Sequence, residues 1–191
     1  MTDRQVPRTG STLVVGPSGA GKTTLTAGAL ADWLADRDPS EAAVFEFGPE
    51  LEREDRVVGG RLDRFVSVPE GVWVGVVDAV APRSQGDTAA ETLSLARENA
   101  ERANRRFAAA PPDPGAVFVN DATIAFQHES GELDRLLAYC AGAELVVVNA
   151  FEGTEFGSDD PVSRRERAVL WRLRDWADRT IELDRSERAP D

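Results

Sequence analysis

Gly16-Pro17-Ser18-Gly19-Ala20-Gly21-Lys22-Thr23 is the octet from which the rest of this chain is best read. It matches G-x-x-x-x-G-K-[ST], a loop whose backbone N–H groups cradle phosphates. Its three glycines open backbone shapes closed to other residues and let amide groups turn toward an anion. On one flank, Ser11-Thr12-Leu13-Val14-Val15 is a short β-prone run. On the other, Thr23 to Arg37 carries Leu25, Ala29, Leu30, Trp33 and Leu34 at helical spacing. Strand, glycine loop and helix are the context the motif needs, and the helix adds its positive N-terminal end. Lys22 is expected to contact the β- and γ-phosphates of a nucleotide and the Thr23 hydroxyl to ligate Mg²⁺. Gly16, Pro17, Ser18, Gly19, Ala20, Gly21 and Thr24 complete the expected nucleotide-binding set.

Lys22 is also the chain's single lysine; every other member of the 22 Lys plus Arg is arginine. A compact ammonium on a flexible stem suits a position between two phosphates, where a planar guanidinium fits poorly. The chain has 191 residues, enough for one domain with a full core. Its net charge of -12 and pI of about 4.6 repel nucleic-acid phosphates unless a local basic patch exists. Dense carboxylates with almost no lysine resemble the acidic proteins of salt-in halophiles, which stay hydrated and screened in concentrated salt. A merely acidic protein of a GC-rich genome is the plainer alternative. Cys140 is the only cysteine, so no intrachain disulfide or cysteine metal cluster forms. No apolar run approaches membrane-spanning length. The first ten residues lack the apolar segment of a signal peptide, so the expected location is cytoplasmic.

Along the chain, residues 1–10 read as a flexible N-terminus, 11–183 as one domain and 184–191 as a frayed tail. Ala42 to Phe47 reads as a second strand, ended by Gly48-Pro49, and Glu50 to Arg64 as charged and irregular. Phe65 to Val68 and Val72 to Val77 are further β-prone runs. Thr88-Ala89-Ala90-Glu91 is a capping-box sequence opening a helix to about Phe107. Ala116 to Val119 is a strand, Gly131 to Ala141 a helix and Leu145 to Val148 another strand. Asp160-Pro161 starts a helix, within which Ser163 and Glu166 repeat the capping-box spacing. Val169, Leu170, Leu173, Trp176 and Ala177 form its buried stripe, and its arginines and acids the wet face. Arg179 to Leu183 is the last strand.

Strands that are continuously apolar and alternate with helices point to a mostly parallel sheet covered by helices on both faces, a three-layer α/β fold. Ligands in such sheets bind at the carboxyl ends of strands. That singles out the loop at Gly16, then Glu46, Asp78, Asn120 with Asp121, and Asn149. A Mg²⁺-holding carboxylate is needed at the end of a second strand, and both Asp78 and Asp121 end apolar runs. A strand-terminating turn is the commoner task of a single aspartate.

The order of the octet, a strand ending near a glutamate, a distant Asp121-Ala122-Thr123 and a strand ending in Asn149 resembles a P-loop NTPase of the RecA/KaiC-like ATPase type. The resemblance implies that Glu46 or Glu50 polarises the attacking water and that Asp121, on the strand beside the P-loop strand, holds Mg²⁺ with Thr23. It also implies that Asn149 senses the γ-phosphate. The closing run from Trp176 to Leu183 is similar to the last segment of such domains.

The later half is also similar to small GTPases, whose last strand carries N-K-x-D to read guanine. Here Ala150 replaces the lysine and Glu152 the aspartate, which favours ATP over GTP. A small-molecule P-loop kinase would need lid arginines, for which Arg53, Arg56, Arg61 and Arg64 are candidates. A non-hydrolysing regulatory module would keep the octet and lose the hydrolytic glutamate. The resulting expectation is Mg-dependent ATP binding and hydrolysis, coupled to a conformational switch or to an unidentified protein partner. His128, the only histidine, reads as a loop residue.

Overall fold

The computed structural model describes residues 5–49, 51–53, 56–58, 60–153 and 159–184. In chain order the elements are β1 (Gly10–Gly16), α1 (Lys22–Leu34), β2 (Ala42–Glu46), β3 (Leu51–Arg53), β4 (Arg56–Val58), β5 (Trp73–Val76) and α2 (Pro82–Gln85). Then follow α3 (Ala89–Ala109), β6 (Ala116–Asn120), α4 (Leu133–Cys140), β7 (Leu145–Phe151), α5 (Pro161–Trp176) and β8 (Arg179–Glu182). Short 3-10 turns lie at Pro39–Glu41, Leu62–Arg64 and Ala122–Phe126.

Six strands form one sheet in the order β5-β2-β6-β7-β1-β8, and every pairing in it is parallel. Their side chains divide by parity. Val14, Val44, Ala116, Phe118 and Val147 pack with Ala27, Leu30 and Trp33 of α1. Leu13, Val15, Phe45, Val117, Val119, Val146 and Val148 pack on the other face with residues of α3, α4 and α5. Burial on both faces explains why these strands read as unbroken apolar runs. The architecture is the three-layer α/β fold expected from the sequence.

Some details differ from the sequence reading. Leu51–Arg53 and Arg56–Val58 form a small antiparallel hairpin apart from the main sheet, where an irregular stretch was expected. Phe65 to Val68 is not a strand, and only Trp73–Val76 joins the sheet, as its edge. Ser163 and Glu166 do not form a capping box: Asp160 caps α5, accepting from Ser163 N at 2.9 Å. Val6 is buried in the core beneath α1, so packing begins before Ser11. Among the described residues no helix is long and apolar enough to cross a membrane.

Candidate functional site

The glycine loop joins β1 to α1 at the carboxyl edge of the sheet. Gly19 and Gly21 have φ of 77° and 92°, in the left-handed region that a Cβ disfavours. At Gly16 a Cβ would fall 2.3 Å from the Leu183 carbonyl oxygen, so the start of the loop admits no side chain. Gly21 precedes α1 without any side-chain cap, and the first turn of α1 holds no acidic residue. The first N–H groups of a helix have no partner within it, and here no side chain caps them.

Lys22 is buried, and its Nζ donates to the carbonyls of Gly16 at 2.9 Å and Pro17 at 2.7 Å. Its ammonium lies 5.9 Å from the Phe151 ring centroid. Pro17, Ser18, Ala20 and Thr23 are partly exposed, and Gly19, Gly21 and Thr24 exposed, so the loop presents a solvent-facing surface.

Asp121 follows β6 in the left-handed conformation, with φ of 53°, which aspartate tolerates better than most residues. Its N–H donates to Asn149 Oδ1 at 2.8 Å. Desolvation pushes its carboxyl above the ordinary aspartate range; the Lys22 ammonium opposes that rise and Glu166 adds to it. The Lys22 and Asp121 charges therefore act on one another. Gly48 makes room for this carboxylate, because a Cβ there would meet Asp121 Oδ2 at 2.4 Å.

The strand carrying Asp121 is not next to β1 as expected: β7 lies between them. The inserted strand brings Asn149 into the site. Asp78 follows β5 at the far edge, with three strands between it and β1. Its exposed carboxylate accepts from Arg61 at 2.9 Å. Of the two candidate carboxylates, the structure brings only Asp121 to the glycine loop.

A row of buried polar side chains crosses the sheet on the α1 side. Thr26, one turn into α1, donates through its hydroxyl to the Lys22 carbonyl at 3.0 Å. It accepts from Asn149 Nδ2 at 3.0 Å, which also donates to Asn120 Oδ1 at 2.9 Å. Asn120 Nδ2 donates to Glu46 Oε2 at 2.8 Å and to the Gly60 carbonyl at 2.9 Å. Glu46 Oε1 accepts from Leu62 N at 2.7 Å. The register aligns Glu46 with Asn120 on adjacent strands. Pairing of Val119 with Val148 places Asn149 next in the row.

Glu46 is buried, and desolvation raises its pKa to about 7 despite the hydrogen bonds from Leu62 and Asn120; Asp63 and Asp121 push it further the same way. Both its oxygens are engaged. Glu50, the other candidate for polarising water, lies outside the described residues.

Sequence reasoning missed a second buried cluster, on the α5 side of Asp121. Glu166 accepts from Thr123 Oγ1 and Gln127 Nε2, both at 2.9 Å, and pairs with Arg83 of α2. Arg83 also donates to Ser163 Oγ at 3.1 Å. In the sequence Glu166 has a capping-box spacing with Ser163 and a place among the acids of a wet helix face, and nothing local points to a buried cluster with Thr123, Gln127 and Arg83. Thr26 was missed as well, although it follows the octet by one helical turn. His128 bonds locally to Ser130, and no group of metal-binding residues was found among the described residues.

No protein-family model matches the chain, and no curated protein matches it. Among solved structures it is similar to the helicase domain of Pyrococcus furiosus Hef, with a TM-score of 0.45 and 13% identity over 96% of this chain. It is also similar to the Pif1 helicase from Candida albicans, with a TM-score of 0.37 and 16% identity over 91% of this chain. The chain spans 36% of the length of either one.

Proposed function

We propose that this chain binds Mg-ATP at Gly16 to Thr24 and uses hydrolysis to change the setting of the segment around Gly60 to Leu62. The observation that carries this reading is an uncapped helix end behind a glycine loop, with a buried lysine and a desolvated aspartate coupled beside it. The donor set fits the ligand. Bare helix N–H groups and loop amides suit phosphate oxygens. The Thr23 hydroxyl and Asp121 carboxylate are hard oxygen donors that suit Mg²⁺. Held there, Mg²⁺ would neutralise charge on the β- and γ-oxygens.

The chain's own residues then have defined tasks. Lys22 exchanges its two carbonyl partners for phosphate oxygens. Asn149 holds the backbone of Asp121 and, through Thr26, ties it to the first turn of α1. A shift of the loop or of Asp121 is thereby passed to Asn120, Glu46 and the Gly60–Leu62 segment. Glu46 becomes able to polarise water only when Leu62 N releases it, which couples hydrolysis to movement of that segment.

The same engagement of Glu46 supports a second reading, a module that binds ATP and does not hydrolyse it. ATP is favoured over GTP because Asn149 is occupied on three sides and Glu152 pairs with Arg174 at 2.6 Å. Neither is arranged to read guanine. The test is phosphate release with ATP and with GTP, in concentrated KCl with Mg²⁺, beside binding of both nucleotides. Release from ATP supports the switch, and binding without release supports the non-hydrolysing module. A GTP preference on the order of a hundredfold, ~2.7 kcal/mol, would overturn the ATP reading.

A further inference from the structure

A second concentration of positive charge lies at the opposite edge of the sheet. Arg102, Arg105 and Arg106 occupy one face of α3 at i, i+3 and i+4 spacing. With Val77 and Asp78 they line an open cavity of about 310 Å³ at the carboxyl end of β5. Two of them are anchored on the backbone there. Arg106 Nε donates to the Val76 carbonyl at 2.5 Å, and Arg102 donates to the Asp78 carbonyl at 2.6 Å. Arg61 reaches the same place by pairing with the Asp78 carboxylate. Among the described residues the acids paired with these arginines are Asp78 and Glu98, which meets Arg102 at 3.4 Å. Among the described residues Arg105 makes no hydrogen bond or ion pair, and Arg106 uses only its Nε.

We propose that this cavity is a second anion site, which takes a small phosphate-bearing ligand such as a diphosphate. A guanidinium held by one nitrogen, as Arg106 is, keeps its remaining N–H groups in a fixed fork, the geometry that grips phosphate oxygens in pairs. The cavity is at the lower end of the size range for small-ligand sites and lies where parallel sheets bind ligands. Four arginines gathered at one spot on a chain of net charge -12 make a local attractor in a repulsive field. The patch is compact and sits on a chain of net charge -12, which suits a short anion and not a long nucleic-acid backbone. Four strand spacings of ~4.8 Å put this edge about 19 Å from β1. The site is therefore separate from the glycine loop, and its occupancy does not depend on the reading of that loop.

The test is a calorimetric titration of the full chain carrying Lys22→Ala with pyrophosphate, so that the contribution of the glycine loop is strongly reduced. Saturable binding is expected. Arg105→Ser should weaken it about tenfold, the loss of one charged hydrogen-bonding group, and Arg106→Ser likewise. Among the described residues Arg105 makes no hydrogen bond or ion pair and is exposed, so its variant also keeps the test independent of folding. The control is the pair Arg97→Ser with Arg135→Ser, exposed arginines elsewhere; it should leave binding nearly unchanged. Absence of pyrophosphate binding would overturn the proposal, leaving the arginines as partners of strand-end carbonyls and the helix dipole. So would an equal loss in the control pair, tighter binding of citrate, or tighter binding of a single-stranded oligonucleotide.

Discussion

Helices α1 and α3 begin in opposite ways. At α3, Thr88 accepts from Glu91 N at 3.2 Å, and Glu91 accepts from the backbone of Thr88 at 3.1 Å and of Asp87 at 3.0 Å. That end is closed by its own side chains, as a capping box closes it. At α1, Gly21 stands at the cap position in the left-handed conformation with no side-chain bond, and no acid faces the dipole. A fold that closes α3 and α5 with side chains leaves α1 open where the glycine loop meets it. A glycine at the cap position costs only roughly a few tenths of a kcal/mol against a capping side chain, so this end stays open at little cost to the fold. The starts of α2 and α4 also lack a side-chain cap; what sets α1 apart is the left-handed glycine at its cap and the glycine loop before it, which suit the proposed binding end.

The sharpest way to break that contrast is Lys22→Ala. The ammonium is the only lysine charge available to the loop, so triphosphate affinity should fall by on the order of a hundredfold, ~2.7 kcal/mol. Equilibrium binding measures this, with circular dichroism to show that the fold persists.

Next in size is the contrast between the two strand-end aspartates. Asp121→Asn should lower Mg²⁺-dependent phosphate release roughly a hundredfold, as loss of a charge-stabilising group does. Asparagine also accepts the left-handed backbone found there. Asp78→Asn breaks one largely exposed ion pair and should leave release unchanged. A steady-state assay of both variants decides the ranking, and the reverse order would move the metal site to the far edge.

Glu46 gives a pH signature. Its folded pKa of about 7 lies above its ordinary value of 4.5, so the folded state binds more protons than the unfolded chain between those values. Its favourable contribution is fully present below about pH 4.5 and is lost as pH rises through about 7. Glu46→Gln mimics the protonated form and should gain on the parent chain by on the order of 3 kcal/mol from acid to neutral pH. Urea unfolding of both chains at pH 5 and pH 8 reads this difference. A constant difference would mean that Glu46 stays ionised in its buried row.

The smallest effect tests the structural side of the comparison. Thr88→Ala should lower stability by about 1 kcal/mol and leave nucleotide affinity untouched. Thermal unfolding with parallel nucleotide titration checks both halves.

How much of this was legible follows from how local each signal is. The octet and its flanks depend on neighbouring residues only, so strand, loop and helix were readable, as was the α3 capping box. The unbroken apolar runs carried the parallel sheet. The strand order was not readable, because no residue of β7 announces that it inserts between β1 and β6. Asn120 and Asn149 were visible as polar ends of apolar runs, yet their joint row with Thr26 and Glu46 depends on register. Glu166 looked like one more charge on an Arg-rich helix; its burial is set by Thr123, Gln127 and Arg83, which are distant in sequence. The hairpin of β3 and β4 was hidden by a charged composition that reads as loop.

The central claim is that the open end of α1 reads phosphates. The most direct test is titration of the unaltered chain with ATP and with AMP, each with Mg²⁺ in concentrated KCl. The account predicts one equivalent of ATP bound, at least about tenfold or ~1.4 kcal/mol tighter than AMP, since the loop and Lys22 meet the terminal phosphates. Equal affinity for the two nucleotides, or no binding of ATP, would contradict it.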